Sequence, residues 1–477
     1  MSGIVIELTV LSEAATNRCS VSQLQDIVQY FETDILYTRQ VQYAHFLRDS
    51  TPESVSVACH NPRSSKAEIL GAESGMKLTA VTSPTELRDF VSENTDDGVT
   101  YILSDLLTLS IDLIQLETEL HGLPEYKNAI TESNEELVHL TTGANPAYEH
   151  EWDGLSVHGV MPGANEQQGM SEAGVGHVQL RDDGTVLCKT RTLSDFGLET
   201  VTEVAGRRAD ALREESIESR TELAAVEPHE LTRLNGVGTK TARTIVESAE
   251  VIEQEEIRVA PDASLPDVDP IFIDIETDGL NPTIIWLIGV LDRGPDDRYL
   301  SFLETDPGEP GGALTTFMDW LAEHSQDRPV VAYNGWKFDF PVISEHVSDY
   351  CPEHVETWED TWKFDLYYWA VKQSNALLPG ITNKLDDVAS ATGWDGMETG
   401  LTGRAVGQRF QRYAEDPSSE TELEWDRHKQ YCEDDVRGLA HIYDQIAATE
   451  NLMAQAGRGG QSGSTESTQG TLTDFSS

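Results

Sequence analysis

The sequence predicts three regions of different structural class. These are an α/β domain with a mixed sheet flanked by helices in the C-terminal half, an all-α domain before it, and an N-terminal α+β region. Residues 271–303 contain three apolar runs of strand length and are followed by helix-favouring sequence. Residues 234–242 form a glycine-containing turn that leads into a helical pattern. Residues 1–190 mix strand and helix signals, with a hairpin turn at Asp182-Asp183-Gly184.

A chain of 477 residues is long enough for two to four domains. Pro261, Pro266 and Pro270 interrupt a charged stretch and indicate a linker, and the C-terminal residues are rich in Gly, Ser, Thr and Gln. We therefore expect an N-terminal α+β region at 1–190, a helical domain at 191–250, a linker at 251–270, an α/β domain at 271–450 and a disordered tail at 451–477.

The composition is strongly acidic, with 33 basic and 84 acidic residues and a formal net charge of -51. Because 38% of the residues are hydrophobic and their patterning is regular, disorder is not expected for most of the chain. Such acidity predicts adaptation to molar cytoplasmic salt, as in halophilic archaea, where screening falls to roughly 3 Å at 1 M. Counterion release also weakens at high salt, so the net charge does not exclude a nucleic-acid partner.

The five cysteines are scattered, odd in number and without a C-x-x-C pair, which argues against a disulfide framework or a zinc site. The N-terminus lacks a basic start followed by an apolar core. No apolar run approaches the roughly 18 residues that a membrane helix requires. We therefore expect a soluble, cytoplasmic protein.

Two pairs of residues in the C-terminal half are spaced so that both members share a face. Asp274 and Glu276 lie on a run that alternates with period two, so they share one strand face. Tyr431 and Asp435 are four apart in a helix-favouring stretch, so they share one helix face. Asp339 follows a further predicted strand near 330–333. Carboxylates converging on one point are what phosphodiester hydrolysis with two divalent cations mainly requires.

The segments that carry these residues resemble the DEDD superfamily of 3′–5′ exonucleases in its tyrosine branch. The segments are DIET at 274–277, YNGWKFDFP at 333–341 and YCEDD at 431–435. The resemblance covers roughly residues 270–450 and implies an RNase H-like fold, as in the proofreading domains of B-family DNA polymerases. The stretches at 363–366 and 384–388 favour the free-standing exonucleases of this type, as does the lack of polymerase sequence after the third motif.

The resemblance also implies roles for individual residues. Tyr431 would orient the attacking water, and Asn334 would position either the substrate end or the second motif. Trp336 would either stack on a terminal base or pack in the core. Asp365 is either a further acid near the site or a helix cap. Two Mg²⁺ or Mn²⁺ ions would be held by Asp274, Glu276, Asp339 and Asp435, and substrate would be bound by Asn334, Thr277 and Trp336.

Residues 234–242 resemble the hairpin of a helix-hairpin-helix motif. Its glycines permit a tight turn and a close approach of the backbone to phosphate. A degenerate copy lies 33 residues upstream and places Val204 on Val237, Ala209 on Ala242 and Leu212 on Ile245. The alternative is a helical hairpin used only for packing or protein contacts. The residues expected to bind DNA are Gly236, Val237, Gly238, Lys240 and Arg243.

The end of the tail resembles the peptide by which replication and repair proteins bind the sliding clamp PCNA. Gln469, Leu472 and Phe475 match that pattern, whereas Ser476 stands where a second aromatic residue is usual. A disordered tail that carries the apolar anchors for a groove is typical of such peptides. A chance arrangement is the alternative.

Three functions remain open from the sequence. The first is a 3′–5′ exonuclease that trims DNA ends in repair or replication, which the hairpin and the tail favour. The second is an exoribonuclease that processes RNA 3′ ends, and the third is a non-catalytic DNA-binding scaffold. A second nuclease site of the restriction type is a weaker alternative, and its residues would be Asp105, Asp112, Glu125 and Lys127.

Overall fold

The computed structural model describes residues 5–461 except for short gaps, and these are 60–65, 74, 94–97, 113–116, 132–135, 147, 153, 165–172, 205, 280, 295–296, 309, 326, 398, 400, 402 and 419–420. The chain divides into two compact units, the first comprising residues 1–245 with 400–405 and the second comprising the remainder. Within the described residues, no helix is long and apolar enough to cross a membrane.

The first unit begins with two mixed β-sheets. Their strands are β1 (Val5–Leu11), β2 (Ile35–Thr38), β3 (Ser56–Cys59), β4 (Glu68–Glu73), β5 (Met76–Val81), β6 (Val99–Asp112), β7 (Glu117–His121), β8 (Glu136–Gly143), β9 (Glu149–Trp152), β10 (Leu155–Gly159), β11 (Gly174–Arg181) and β12 (Val186–Thr192). One sheet has the order β12-β11-β1-β2-β3, and the other has the order β4-β5-β6-β8-β10-β9 with β7 paired to β6.

The two sheets share one apolar core, which identifies the fold of the N-terminal region as a sandwich. Leu8 and Val10 of one sheet pack in the same cluster as Leu78, Tyr101 and Leu103 of the other. Helices cover the outer faces, because a sheet that is apolar on both sides must be buried on both. These helices are α1 (Glu13–Arg18), α2 (Val21–Tyr30), α3 (Ala44–Ser50), α4 (Pro84–Glu93) and α5 (Leu123–Ile130).

The structure confirms the α+β class expected for this region and excludes the restriction-type alternative. Glu125 and Lys127 lie on α5 rather than on a strand, since Pro124 favours a helix start. Asp105 lies 3.9 Å from Arg39, as an ion pair. Glu125 and Lys127 therefore do not lie on the strand that the restriction-type motif requires, and Asp105 has a basic partner.

A pair of helical hairpins follows the sandwich and shows the predicted repeat. Glu203 and Gly236, 33 residues apart, both have positive φ, at 70° and 78°. The N–H of Val204 donates to Val201 O at 2.9 Å, and the N–H of Val237 donates to Leu234 O at 3.2 Å, again with the same offset. The helices are α6 (Gly206–Glu214), α7 (Arg220–Ala224), α8 (Pro228–Leu231) and α9 (Thr239–Gln254).

Polar contacts tie this helical region to the sandwich. The guanidinium of Arg220 donates to both carboxylate oxygens of Asp26 on α2, at 2.7 and 3.2 Å. The Gln23 side-chain amide donates to the carbonyls of Leu193 and Phe196 at 3.0 and 3.3 Å. Both contacts are largely shielded from water, and the sandwich and residues 197–245 belong to one compact unit.

The segment predicted as a linker, residues 251–270, partly forms regular structure through strand pairing. β13 (Arg258–Val259) pairs with β19 (Ala376–Leu377), and Ile257 is buried. The difference arises because two apolar residues find a core in the second unit, which the proline spacing does not reveal. The prolines do mark the irregular stretch that follows, from 260 to 270.

The second unit is built on a mixed sheet with the order β16-β15-β14-β17-β18. Its strands are β14 (Ile271–Thr277), β15 (Ile285–Asp292), β16 (Arg298–Leu303), β17 (Val330–Ala332) and β18 (Lys363–Asp365). β14 is antiparallel to β15 and parallel to β17. The first four strands match the predicted positions, whereas β18 lies where mainly helix was expected, because only three residues pair with β17.

Helices cover both faces of this sheet. Ile271, Ile273 and Ile275 of β14 point to one core, and Phe272 points to the other, where it meets Tyr443 edge to face at 5.3 Å. By the two-residue period, Asp274 and Glu276 share the face of Phe272. The helices are α10 (Gly312–His324), α11 (Asp339–Tyr350), α12 (Val355–Asp360), α13 (Leu385–Ala391), α14 (Gly403–Glu415) and α15 (Trp425–Gln461).

The long helix α15 crosses the sheet at a position that has no side chain. Gly289 of β15 is the register partner of Asp274. A Cβ atom at Gly289 would lie 2.6 Å from the Cys432 sulfur and 3.2 Å from a Val436 methyl group. The absence of that atom lets α15 approach closely enough to present its polar residues to β14.

We predict that Gly289→Ala lowers the free energy of unfolding by about 1–3 kcal/mol, because an added methyl group forces the helix away from the sheet. Gly438→Ala is the matched control on α15, since its Cβ would meet Ala389 at an ordinary 3.6 Å. Adding a Cβ there is expected to be neutral or to stabilise the helix by up to about 1 kcal/mol. Thermal unfolding of the full chain would compare the two variants, and equal midpoints would contradict the argument.

Candidate active site

The strand β14 contributes two carboxylates to the candidate site. One oxygen each of Asp274 and Glu276 and the sulfur of Cys432 lie within 4.8 Å of one another. Glu276 is buried, and Asp274 is half-buried. Strand alternation places both carboxylates on the face that α15 covers.

Two further carboxylates arrive on separate helices. Asp339 is the first residue of α11, directly after the turn that follows β17, and it is buried. Asp435 lies on α15, four residues beyond Tyr431. The Tyr431 hydroxyl forms a hydrogen bond with the Asp435 carboxylate, which tends to lower the pKa of that carboxyl. The helix-face prediction for this pair is therefore consistent with the geometry.

The charges of Asp339 and Asp435 act on both carboxyls of β14, which is consistent with four neighbouring acids. Burial, followed by the charges of Asp435 and Asp339, raises the pKa of Asp274 well above its ordinary range. Burial and the neighbouring acids act in the same direction on the pKa of Glu276. Burial raises the pKa of Asp339 and of Asp435 to about 7.

Positive charge is missing from this cluster. Among the described residues, no lysine or arginine forms an ion pair with any of the four carboxylates. Buried carboxylates normally have such a partner or bind a metal ion. Oxygen donors of this kind suit hard divalent cations such as Mg²⁺ and Mn²⁺. The donor set thus fits the expected cofactor.

Cys432 is a neighbour of the site that sequence reasoning missed. Its sulfur lies 3.6 Å from a carboxylate oxygen of Asp274 and 3.9 Å from the Asp274 carbonyl. Burial, followed by the charge of Asp274, raises the pKa of its thiol well above the ordinary range. A neutral thiol is a poor ligand for hard cations, so Cys432 fits as a packing residue under Gly289. A single cysteine in a helical sequence offers no pattern that would have revealed it.

Asp365 organises the turn that carries the second motif. One of its carboxylate oxygens accepts hydrogen bonds from the backbone N–H groups of Asn334 and Tyr368, and the other accepts from the N–H of Trp336, all at 3.0 Å. Asn334 has a positive φ of 61°, which this bonding helps to hold. The bond from Tyr368 is that of a helix cap, and the bonds from Asn334 and Trp336 hold the turn before Asp339. The contacts therefore agree with both predicted roles, a helix cap and a further acid near the site.

The residues expected to bind substrate lie near the carboxylates but differ in exposure. The Trp336 side chain is 50% exposed and meets Phe340 edge to face at 5.0 Å. Asn334 is half-buried. Thr277 is buried, and its hydroxyl donates to Gly279 O at 2.9 Å. Trp336 thus has a free ring surface, whereas Thr277 serves first to hold the loop after β14.

The hairpin residues expected to bind DNA also separate into two groups. Gly236, Gly238, Lys240 and Arg243 are exposed at the start of α9. Val237 is buried, and its N–H is already bonded to a carbonyl, so its contribution is packing. In the upstream hairpin, ion pairs join Arg208 to Glu203 and Arg213 to Glu199, each at 2.7 Å.

The predicted clamp-binding residues Gln469, Leu472 and Phe475 lie outside the residues that the structure describes.

We predict that the metal-free wild-type protein loses stability as the pH rises from about 5 to about 8. The double variant Asp339→Asn/Asp435→Asn should lose less stability over the same range. In this range the folded carboxyls, with pKa values of about 7, still bind protons that the unfolded chain has released. The folded state is therefore favoured at the lower pH. Thermal unfolding in EDTA measures the effect, and parallel curves for the wild type and the variant would contradict it.

Comparisons with known proteins agree with this architecture. Residues 271–447 match the RNase H superfamily, and residues 197–250 match a SAM-like helix-hairpin-helix tandem. No curated protein matches the chain.

Solved structures show weak similarity. The family B DNA polymerase from the hyperthermophilic archaeon Pyrobaculum calidifontis matches at 15% identity with a TM-score of 0.29, over 57% of this chain and 44% of the polymerase. A conserved uncharacterised protein from Streptococcus pneumoniae, described as a predicted phosphoesterase, matches at 11% identity with a TM-score of 0.21, over 40% of this chain and 92% of that protein.

The chain thus spans less than half of the polymerase that it matches. Family matches, strand order and the repeated hairpin lead to the same assignment. Residues 271–447 form an RNase H-like domain, and residues 197–250 form a tandem helix-hairpin-helix domain.

Proposed function

We propose that the second unit is a metal-dependent 3′–5′ exonuclease. The observation that carries the proposal is a group of four shielded carboxylates. Asp274 and Glu276 lie side by side on one strand, and the charges of Asp339 and Asp435, from two helices, act on both, without a basic partner among the described residues. The RNase H-like fold is consistent with hydrolysis of a nucleic-acid phosphodiester. The polarity is inferred from the three motifs, in which Tyr431 and Asp435 follow the tyrosine-branch spacing.

Asp274, Glu276, Asp339 and Asp435 would hold the divalent cations in this mechanism. Bound there, two such cations supply an activated water and stabilise the charge that develops on the leaving 3′ oxygen. Asp339 is fixed at the start of α11, and Asp365 fixes the turn before it. The backbone therefore holds the ligands in place before substrate arrives, which lowers the reorganisation needed for catalysis.

Tyr431 would orient the attacking water molecule in this proposal. Its hydroxyl is hydrogen-bonded to Asp435, and burial together with the nearby acids raises the pKa of the phenol well above its ordinary value. The phenol therefore stays protonated. Its single O–H donates to Asp435, and its oxygen would accept a hydrogen bond from the water. Asn334 and Trp336 lie on the turn beside Asp339, where they are placed to contact the terminal nucleotide.

DNA is the substrate that the other domain favours. The exposed glycines and Lys240 at the start of α9 offer backbone N–H groups, the positive end of a helix dipole and a cation to a phosphate. This arrangement suits the backbone of a duplex and would recruit the enzyme to DNA in repair or replication. RNA is the second candidate, and the hairpin domain is the observation against it.

The acidic composition fits a nuclease that works in concentrated salt. A net charge of -51 would repel nucleic acid at low ionic strength. At 1 M salt the screening length falls to roughly 3 Å, so local contacts decide binding. We therefore place the protein in a halophilic cytoplasm and would assay it in molar KCl.

We predict stepwise loss of nucleotides from the 3′ end of a single strand in the presence of Mn²⁺, and we predict that Asp274→Ala abolishes it. Oligonucleotides labelled at the 3′ or the 5′ end, in both deoxyribose and ribose form, distinguish direction and sugar on a denaturing gel. Tyr431→Phe should lower the rate at least about tenfold but keep metal affinity, as measured by Mn²⁺ titration calorimetry.

Each other outcome of that assay has a definite meaning. Internal cuts would indicate an endonuclease, and faster loss from the ribose strand would favour the RNA candidate. If no strand is cut in Mn²⁺ or Mg²⁺, the exonuclease proposal is overturned and a binding scaffold remains. A large loss of metal affinity in Tyr431→Phe would contradict its water-orienting role.

A sliding clamp of the PCNA type is proposed as a partner of the tail. We predict that deletion of residues 469–477 abolishes co-elution with the clamp in size-exclusion chromatography, because Leu472 and Phe475 are the apolar anchors. Replacing Ser462 and Ser464 by Ala, in the same tail, is the matched control and should leave co-elution intact. Persistent binding after the deletion would remove the tail from the proposal.

A further inference from the structure

Lysines are scarce in this chain, but several lie in the segment that contains Asp339 and Asp365. Of the ten lysines in the sequence, four lie between residues 337 and 384. Lys363 is a structural member of this group, since its ammonium donates to Trp358 O and lies 4.4 Å from the Trp358 ring centroid. The other three, Lys337, Lys372 and Lys384, are exposed. Packing in the core therefore does not explain the positions of these three lysines.

These three lysines lack acidic partners among the described residues, although the chain has 84 acids. Elsewhere in the same unit a lysine does find one, as Lys429 does with Asp426 at 2.6 Å. In so acidic a protein, exposed lysines without an ion pair leave positive charge available to a phosphate.

Aromatic rings connect the lysines. The Lys372 ammonium lies 5.2 Å from the centroid of the Tyr367 ring, and that ring is 5.6 Å from the Tyr333 ring. The Tyr333 hydroxyl donates to Asn383 O at 2.9 Å, next to Lys384. Lys372 and Lys384 are therefore linked across two tyrosines.

The Asp365 carboxylate connects the segment around Lys337 with the segment around Tyr367. Asp365 binds the N–H of Trp336, which precedes Lys337, and the N–H of Tyr368, which follows Tyr367. The Trp336 and Tyr368 side chains are 50% and 46% exposed. These two rings are brought together by Asp365, which binds the backbone N–H group of each residue.

The backbone beneath Tyr368 and Lys372 is itself unusual. Residues Tyr368–Lys372 form a π-helical turn. Such turns are rare and occur frequently at functional sites, because the extra residue changes where side chains emerge. Here the residues on the turn include one exposed ring and one exposed ammonium group.

We propose that this surface, the lysine–tyrosine face, binds a single-stranded nucleic acid and leads its end to the carboxylates. It comprises Trp336, Lys337, Tyr367, Tyr368, Lys372 and Lys384. Rings stack on unpaired bases and lysines contact phosphates, a combination that suits a single strand because the bases of a duplex are already stacked. The proposal deepens the exonuclease proposal by assigning the path of the strand outside the carboxylate cluster.

The test measures binding separately from cleavage. The full-length protein carrying Asp274→Asn is titrated with a fluorescent single-stranded oligonucleotide in KCl, and anisotropy gives the dissociation constant. Adding Lys337→Gln, Lys372→Gln and Lys384→Gln should make the dependence of log affinity on log salt shallower by about 2, at roughly 0.7 per phosphate contact. Tyr368→Ala should weaken binding about tenfold, including in molar KCl, because stacking is not screened.

The matched control is Lys77→Gln with Lys127→Gln and Lys189→Gln, which makes the same change in charge on the sandwich. It should leave the salt dependence unchanged. A duplex of equal length provides the second arm, in which Lys240→Gln and Arg243→Gln should matter more than the lysine–tyrosine face.

Failure of the two proposals can be told apart. If the three-lysine variant binds the single strand with unchanged affinity and salt dependence, the face is not the strand-binding surface, whether or not the enzyme cleaves. If both three-lysine variants weaken binding equally, only net charge matters, and the proposal is overturned. If the protein has no nuclease activity but binds the single strand through the lysine–tyrosine face, this inference holds and the exonuclease proposal is overturned.

Discussion

The close approach of α15 to the sheet at Gly289 is the contact on which the candidate site depends. The helix packs on β14 and β15, with Val436 buried over the strands. Because Gly289 lies opposite Asp274, this crossing brings Asp435 to the carboxylates of β14. The packing that stabilises the second unit is therefore also what gathers like charges from distant parts of the chain.

Repulsion between these carboxylates opposes folding when they are ionised. A second set of contacts, made by Asp365, holds the turn before Asp339 in place despite this repulsion. Asp365 satisfies three backbone N–H groups and so holds the turn before Asp339 in a strained conformation at Asn334. Strain and repulsion of this kind persist only where surrounding structure compensates for them. Cores on both faces of the sheet supply that compensation, which is consistent with a preorganised cation site.

Two surfaces with positive charge stand out in an otherwise acidic protein, and they suit different forms of nucleic acid. The hairpin at the start of α9 offers backbone N–H groups and Lys240 to a phosphate backbone, which a duplex presents regularly. The lysine–tyrosine face offers rings as well as ammonium groups, which a single strand can use. A division of labour between duplex recruitment and end capture would follow from the proposals made for these surfaces.

The sequence by itself determined the elements and the paired residues, because periodicity acts over a few positions. It predicted the strand that carries Asp274 and Glu276, the helix that carries Tyr431 and Asp435, and the 33-residue hairpin repeat, in which Glu203 and Gly236 share a positive φ. The sandwich of residues 5–192, the capping role of Asp365 and the neighbourhood of Cys432 were decided only by the tertiary structure. Each depends on contacts between residues far apart in the chain, such as Cys432 with Asp274. Patterns over a few neighbouring positions do not predict which distant residues will meet.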